Sequence, residues 1–209
     1  LADLVARDVA SLQELLASVD PGQLARAGEL LEGADTVYLI GQLRSAPVVE
    51  LLRYVLTMLG KRTVLLDASG GLATHMARAA RATDVLFVVS FRFYATEVVN
   101  VAEETAGRGV PILAITDSTL SPYAKLAEVL FAVPEHEYTF SRSLAAPMCL
   151  AQAICVAVAA RLQKDGAEVA WTAKLTERPY AFGEPSPIAS IGTGDAGATC
   201  TCALGDACA

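Results

Sequence analysis

Two short turns hold most of the polar chemistry of this chain. The first reads Gly41-Gln42-Leu43-Arg44-Ser45 and the second Ser90-Phe91-Arg92-Phe93-Tyr94-Ala95-Thr96-Glu97. Each offers a serine hydroxyl and a guanidinium. A guanidinium makes bidentate contacts to phosphate or carboxylate, so Arg44 and Arg92, with Ser45 and Ser90, have the groups an oxyanion requires. The alternative for both arginines is solvation, or pairing with Glu97 or Asp67. Acid–base chemistry needs a titratable group beside the ligand. His75 falls in a helical pattern, whereas His136 lies between Glu135 and Glu137 in a polar stretch. That cluster is either a proton-transfer group or a solvated loop. No Ser/His/Asp or Cys/His arrangement supports a hydrolase.

The elements around these turns explain why they matter. Val85–Val89 is a continuous apolar, mostly β-branched run, of the kind found in a strand covered on both faces. After the polar turn, Val98, Val99, Val101, Ala102 and Ala106 recur at helical spacing until Gly107 and Gly109. A strand, a turn and a helix N-terminus form the part of an open α/β sheet where anions bind. The same order surrounds Gly41, with a strand at Thr36–Ile40 and a helix at Ala46–Leu59. Here Leu43 occupies the place of the second glycine of a phosphate-cradling turn. Further strands are expected at Thr63–Leu66, Val110–Ile115 and Val129–Val133. Helices are expected at Ala73–Ala82, near Tyr123–Ala127 and over the apolar run Leu144–Ala160. Strands alternating with helices predict a parallel sheet with right-handed crossovers, a three-layer doubly wound α/β sandwich. Parallel strands put their C-terminal ends along one edge, so the two turns converge there.

Residues 1–35 read as N-terminal helices, the first over 3–19 and the second closing at Gly33. Residues 36–163 form the sheet domain. Residues 164–209, rich in Pro, Gly, Ala, Ser and Thr, read as an irregular or disordered tail. Cys200, Cys202 and Cys208 lack the paired spacing of a zinc module, so no metal or other cofactor is expected. The chain opens inside a helical pattern without a methionine, which predicts that a preceding segment has been lost or removed.

The 209 residues carry a net charge of −7 with no compensating basic run, a poor basis for direct nucleic-acid binding. Hydrophobic content of 54% and a mean hydropathy of +0.44 fit a core rich in Ala, Leu and Val. Five cysteines, two of them in an apolar helical stretch, read as a reduced intracellular protein. Leu144–Ala160 is free of charge over 17 positions but is mostly Ala and carries Gln152 and Pro147. A helix buried in the domain or at a subunit interface explains it better than a membrane span.

Taken together, Gly41…Ser45, Asp67, Asp84, Ser90…Glu97, Gly109, Ile115-Thr116-Asp117, Ser121-Pro122 and Ala127-Glu128 resemble a sugar isomerase (SIS) domain. The sensor domain of RpiR-type bacterial transcription regulators is closer still. Ser90 to Glu97 is similar to that subgroup's Ser-Phe-x-x-Tyr-x-x-Glu turn, and Ser141-Arg142-Ser143-Leu144 to the start of its last helix. The resemblance covers about residues 1–163. It implies a five-stranded parallel sheet, a phosphosugar or sugar-acid ligand, a cytoplasmic homo-oligomer of at least two chains, and DNA contact only through a preceding helix-turn-helix domain that this chain lacks.

The ligand-binding candidates are therefore Gly41, Arg44, Ser45 and Ser90 on one side, and Arg92, Tyr94, Thr96 and Glu97 on the other. Tyr94 and Tyr138 are candidates for stacking on a sugar, or for packing. If the chain were instead an aldose–ketose isomerase, Glu137 and His136 would be its catalytic residues. A third reading is an oligomerisation module with a vestigial pocket. Members with this fold carry Ser-x-Ser-Gly-x-Thr at the central turn, where this chain has Arg92, Phe93 and Ala95. Phe93 does not match the unusual backbone angles a glycine permits there, so the phosphate cradle is expected to be rebuilt.

Overall fold

The computed structural model describes residues 1–67, 71–133 and 142–164. Two helices open the chain, α1 (Ala2–Ser18) and α2 (Pro21–Gly33), followed by β1 (Val37–Ile40), α3 (Ala46–Met58) and β2 (Thr63–Leu65). Then come α4 (Ala73–Ala77), β3 (Val85–Val89), α5 (Thr96–Ala106), β4 (Ile112–Thr116), β5 (Val129–Ala132) and α6 (Ala145–Lys164). Short 3-10 turns lie at Leu43–Ser45 and Pro122–Lys125. The strands form one parallel sheet in the order β2-β1-β3-β4-β5. This is the three-layer, five-stranded α/β fold the sequence predicts.

Alternation along each strand divides the core in two. Val37 and Leu39, Phe87 and Val89, Leu113 and Ile115 pack with α1, α2, α3 and α6. Tyr38 and Ile40, Leu86 and Val88, Ile112 and Ala114 pack with α4, α5 and Tyr123 on the other face. β1, β3 and β4 are buried throughout, which is why their sequences are apolar but for Thr116 at the end of β4.

By length and composition α6 would suffice to cross a membrane. In this fold Leu150, Ala151, Ile154, Val158 and Ala159 are buried in the sheet core. Its small residues also let α2 come close: a Cβ on Gly28 would stand 3.3 Å from the Ala157 Cβ. On the outer side α1 leaves Leu4, Val5, Val9 and Leu16 exposed.

One helix is shorter than predicted. α4 ends at Ala77 rather than Ala82, because the Arg108 guanidinium donates to the carbonyls of Ala77 and Arg78 at 2.7 and 2.8 Å. It satisfies the groups a further turn would have used. The Asp84 carboxylate then accepts from the Arg81 N–H at 2.8 Å, turning the chain into β3. The 164–209 tail and its cysteines lie outside the described residues, apart from Lys164 at the end of α6.

Candidate functional site

β1 and β3 are neighbours, with Ile40 opposite Val88, so their exit turns lie side by side. At Gly41 the two backbones come close. A Cβ there would meet the Val89 carbonyl at 2.8 Å and the Val49 side chain at 2.6 Å. Only hydrogen fits, and the closeness brings Ser45 and Ser90 into one cavity. Both serines are buried. The Ser45 N–H donates to the Gln42 carbonyl at 3.0 Å, and the Ser90 N–H to the Ile115 carbonyl of β4 at 3.0 Å.

The cavity holds about 340 Å³, within the range of small-molecule sites. Arg44 and Arg92 line it with the serines, and so does Arg142 from the segment before α6. The Arg44 guanidinium lies 4.6 Å from the centre of the Phe91 ring, a cation–π contact. Burial chiefly, and then the charge of Arg142, draw its pKa down, while Asp117 acts the other way. An arginine so placed stays cationic. Arg92 is exposed, 5.8 Å from the Phe93 ring.

The turns differ from expectation at two backbone positions. Leu43 has φ 53° and Phe93 φ 70°, both left-handed. Phe93, where the related motif has glycine, does adopt the glycine-like conformation. Steric crowding of Cβ costs about 1–2 kcal/mol at such a residue. Both side chains stand at the open rim of the cavity, Leu43 88% and Phe93 86% exposed. The strain is thus not repaid by burial of these side chains.

Tyr94, Thr96 and Glu97 do not line the cavity. The Tyr94 hydroxyl donates to Asp117 Oδ1 at 2.8 Å, and its ring meets Tyr123 edge-on at 5.9 Å. Burial and that carboxylate raise its pKa to about 12. Tyr94 therefore ties the β3 turn to the end of β4. Tyr123 stands behind it, its phenol pushed up by burial and countered by the Ser90 hydroxyl. Thr96 is exposed at the first residue of α5. Glu97 accepts from Gln42 Nε2 at 2.7 Å and so joins the two turns. Gly41 and Asp67 border a neighbouring cleft beyond the β1 turn, with Glu50.

Gln42, Phe91 and Arg142 line the cavity although they are absent from the candidate set read in the sequence. Gln42 and Phe91 stood within the two turns already singled out. Arg142 had a fainter signal, a lone cation beside the uncharged run of α6. Glu135, His136, Glu137 and Tyr138 lie outside the described residues. Among the described residues, the cavity is lined by no Asp, Glu or His, and no cluster fit to hold a metal ion occurs. Guanidiniums over buried hydroxyls can bind and orient an oxyanion.

The model of the SIS domain matches residues 30–160. No curated protein sequence matches the chain. Among solved structures, the sugar isomerase domain of an RpiR transcription factor from Sphaerobacter thermophilus is 26% identical with a TM-score of 0.75, over 85% of this chain and 98% of that one. The Vibrio vulnificus NanR protein, solved in complex with ManNAc-6P, is 25% identical with a TM-score of 0.70, over 83% of this chain and 67% of that one. Phosphoheptose isomerase from Neisseria gonorrhoeae shares the fold at 20% identity and a TM-score of 0.62, over 76% of this chain and 96% of that one.

Proposed function

Because the chain belongs to the SIS domain family, we propose that residues 36–163 form the ligand-sensing domain of an RpiR-type transcription regulator. It takes a phosphorylated sugar or sugar acid at the C-terminal ends of β1 and β3. The observation that carries this reading is the cavity lining: two buried serine hydroxyls and three guanidiniums, with no acid or histidine among the described lining residues. Such a set can hold an anion in place. The NanR complex with ManNAc-6P supports a phosphosugar as the ligand class. DNA contact is assigned to a segment preceding this region, in keeping with the net charge of −7. The apolar residues exposed on α1 support a homo-oligomer of at least two chains.

A thermal-shift screen of sugar phosphates and sugar acids, run with an isomerisation assay and sedimentation, tests the reading. A matching ligand stabilises the fold by about 2.7 kcal/mol at a hundredfold excess over its Kd. Ser90→Ala removes a hydrogen bond to a charged group and weakens binding about tenfold. A sensor shows these shifts without turnover, in a dimer or larger. Turnover abolished by Glu137→Gln would make the chain an isomerase, and a folded sample that no ligand shifts would be left as an oligomerisation module.

A further inference from the structure

Two residues at the cavity mouth work against the stability of the chain. Leu43 and Phe93 each hold a left-handed backbone, at φ 53° and 70°, that a side chain with a Cβ opposes. Each then presents a large apolar group to water, 88% and 86% exposed. Strain of this kind persists only where the surroundings impose it, and it gathers at ligand clamps. The two residues come from different turns, yet both line the same cavity. The hydrogen bond from Gln42 Nε2 to Glu97, at 2.7 Å, joins those turns. The Arg92 guanidinium lies over the Phe93 ring, 5.8 Å from its centre. Both side chains are thus kept beside the opening.

The cavity is polar within and apolar at its mouth. Ser45 and Ser90 are 4% and 5% exposed, whereas Leu43 and Phe93 stand at the rim. An anion at one end of a sugar goes to the hydroxyls and guanidiniums, which turns the other end outward. That end meets a leucine and an aromatic ring. The hydroxyls of a plain hexose gain little there, while an apolar substituent gains by leaving water. Two side chains suit a substituent better than a protein. One aromatic side chain buries about 150–250 Å², and adding Leu43 still falls well short of the roughly 800 Å² per partner of a stable interface. The apolar residues of α1 offer a separate surface for a second copy. We propose that Leu43 and Phe93 form an apolar mouth that selects phosphorylated glycosides with an alkyl or aryl group at the anomeric carbon. This rests on the phosphosugar-binding reading above and adds an apolar half to the ligand.

Titration calorimetry on a matched series tests this with the chain as it stands. The probes are the 6-phosphates of glucose, mannose and galactose, and the methyl, butyl and phenyl glycosides of each. A glycoside has no carbonyl to isomerise, so the heats report binding alone. In at least one configuration, affinity should rise from methyl to butyl to phenyl, the phenyl glycoside binding about tenfold or more tightly than the methyl. Phe93→Asn removes the ring and keeps a residue that tolerates left-handed backbone. It should shrink the phenyl advantage to less than about threefold, and Leu43→Asn should reduce it less. Tyr54→Asn removes another exposed ring, on α3 and outside the cavity lining, and should leave the advantage as it was. Equal affinities along the series, or an advantage that survives Phe93→Asn, overturns the proposal while leaving phosphosugar binding intact. Sedimentation showing that Phe93→Asn and Leu43→Asn dissociate an oligomer without changing the advantage would make the mouth a contact between copies, and the proposal would fall. Failure of every probe to bind a folded sample removes the phosphosugar reading, and this proposal with it.

Discussion

The exit turns of β1 and β3 are built on the same plan and held by different means. Each joins a buried strand to a helix, places a buried serine in the shared cavity, carries an arginine, and contains an exposed apolar residue with left-handed backbone. The β1 turn is fixed from within. Gly41 is wedged against the Val89 carbonyl and Val49, and Arg44 lies along Phe91. The β3 turn is fixed from behind, by the hydrogen bond from Tyr94 to Asp117 and the contact with Tyr123. Gln42 and Glu97 join the two. One turn depends on the absence of a side chain and the other on the presence of one. Neither Leu43 nor Phe93 prefers the conformation it adopts, so packing and hydrogen bonds outside these residues impose it.

Breaking the β1 turn should have the largest effect. Gly41→Ala puts a methyl group at 2.6–2.8 Å from Val49 and the Val89 backbone. Overpacking of this kind costs about 1–3 kcal/mol, and the backbone contact places this case at the upper end. Chemical denaturation should show it, with Gly33→Ala as control because a Cβ there meets nothing within 4 Å. A Gly41→Ala protein as stable as the control would mean that the turn adjusts freely.

The β3 turn should give way more gently. Tyr94→Phe deletes the hydrogen bond to Asp117, a loss of about 1.5 kcal/mol. It should lower the affinity of the cavity more than Gln42→Ala does, since Ser90 and Arg92 share its turn. The same hydrogen bond has a pH signature. The phenol pKa rises from 10.0 to about 12, so the folded state holds its proton more tightly than the unfolded chain. The resulting stability is complete below pH 10 and is lost as pH rises toward about 12. A melting curve series across that window should show a decline that is smaller in Tyr94→Phe. Identical declines would place the loss elsewhere.

The smallest effect should be a gain. Phe93→Gly relieves left-handed strain of about 1–2 kcal/mol but gives the unfolded chain about 0.4–1 kcal/mol more entropy to lose. The ring is 86% exposed, so little burial is forfeited. Net stabilisation of about 0.5 kcal/mol follows. A loss of stability would show that the contact between Phe93 and Arg92 outweighs the strain.

Much of this was readable in the chain because the period of apolar residues and the placing of breakers act locally. Val85–Val89 coincides with β3, and Gly33 closes α2 as its pattern indicates. α4 was overestimated because its end is set by Arg108, which is distant in sequence. Ser45, Ser90, Arg44 and Arg92 were legible as a group because parallel strands end along one edge. Arg142 was not, since only the packing of α6 against the sheet layer brings its segment to β1 and β3. Tyr94 shows the reverse case: its type suited a ligand, yet Asp117 lay closer.

By itself, then, the sequence determined the alternation of strands and helices, the unbroken burial of β1, β3 and β4, and the clustering of hydroxyls and guanidiniums at the strand ends. These follow from side-chain period and from peptide geometry, which need only neighbours in the chain. Tertiary structure alone decided that Leu43 and Phe93 take left-handed backbone, that Tyr94 faces Asp117, and that Arg142 joins Arg44. Local preference opposes the first and is silent on the others, because each depends on the energy of contacts between segments that only the folded sheet brings together.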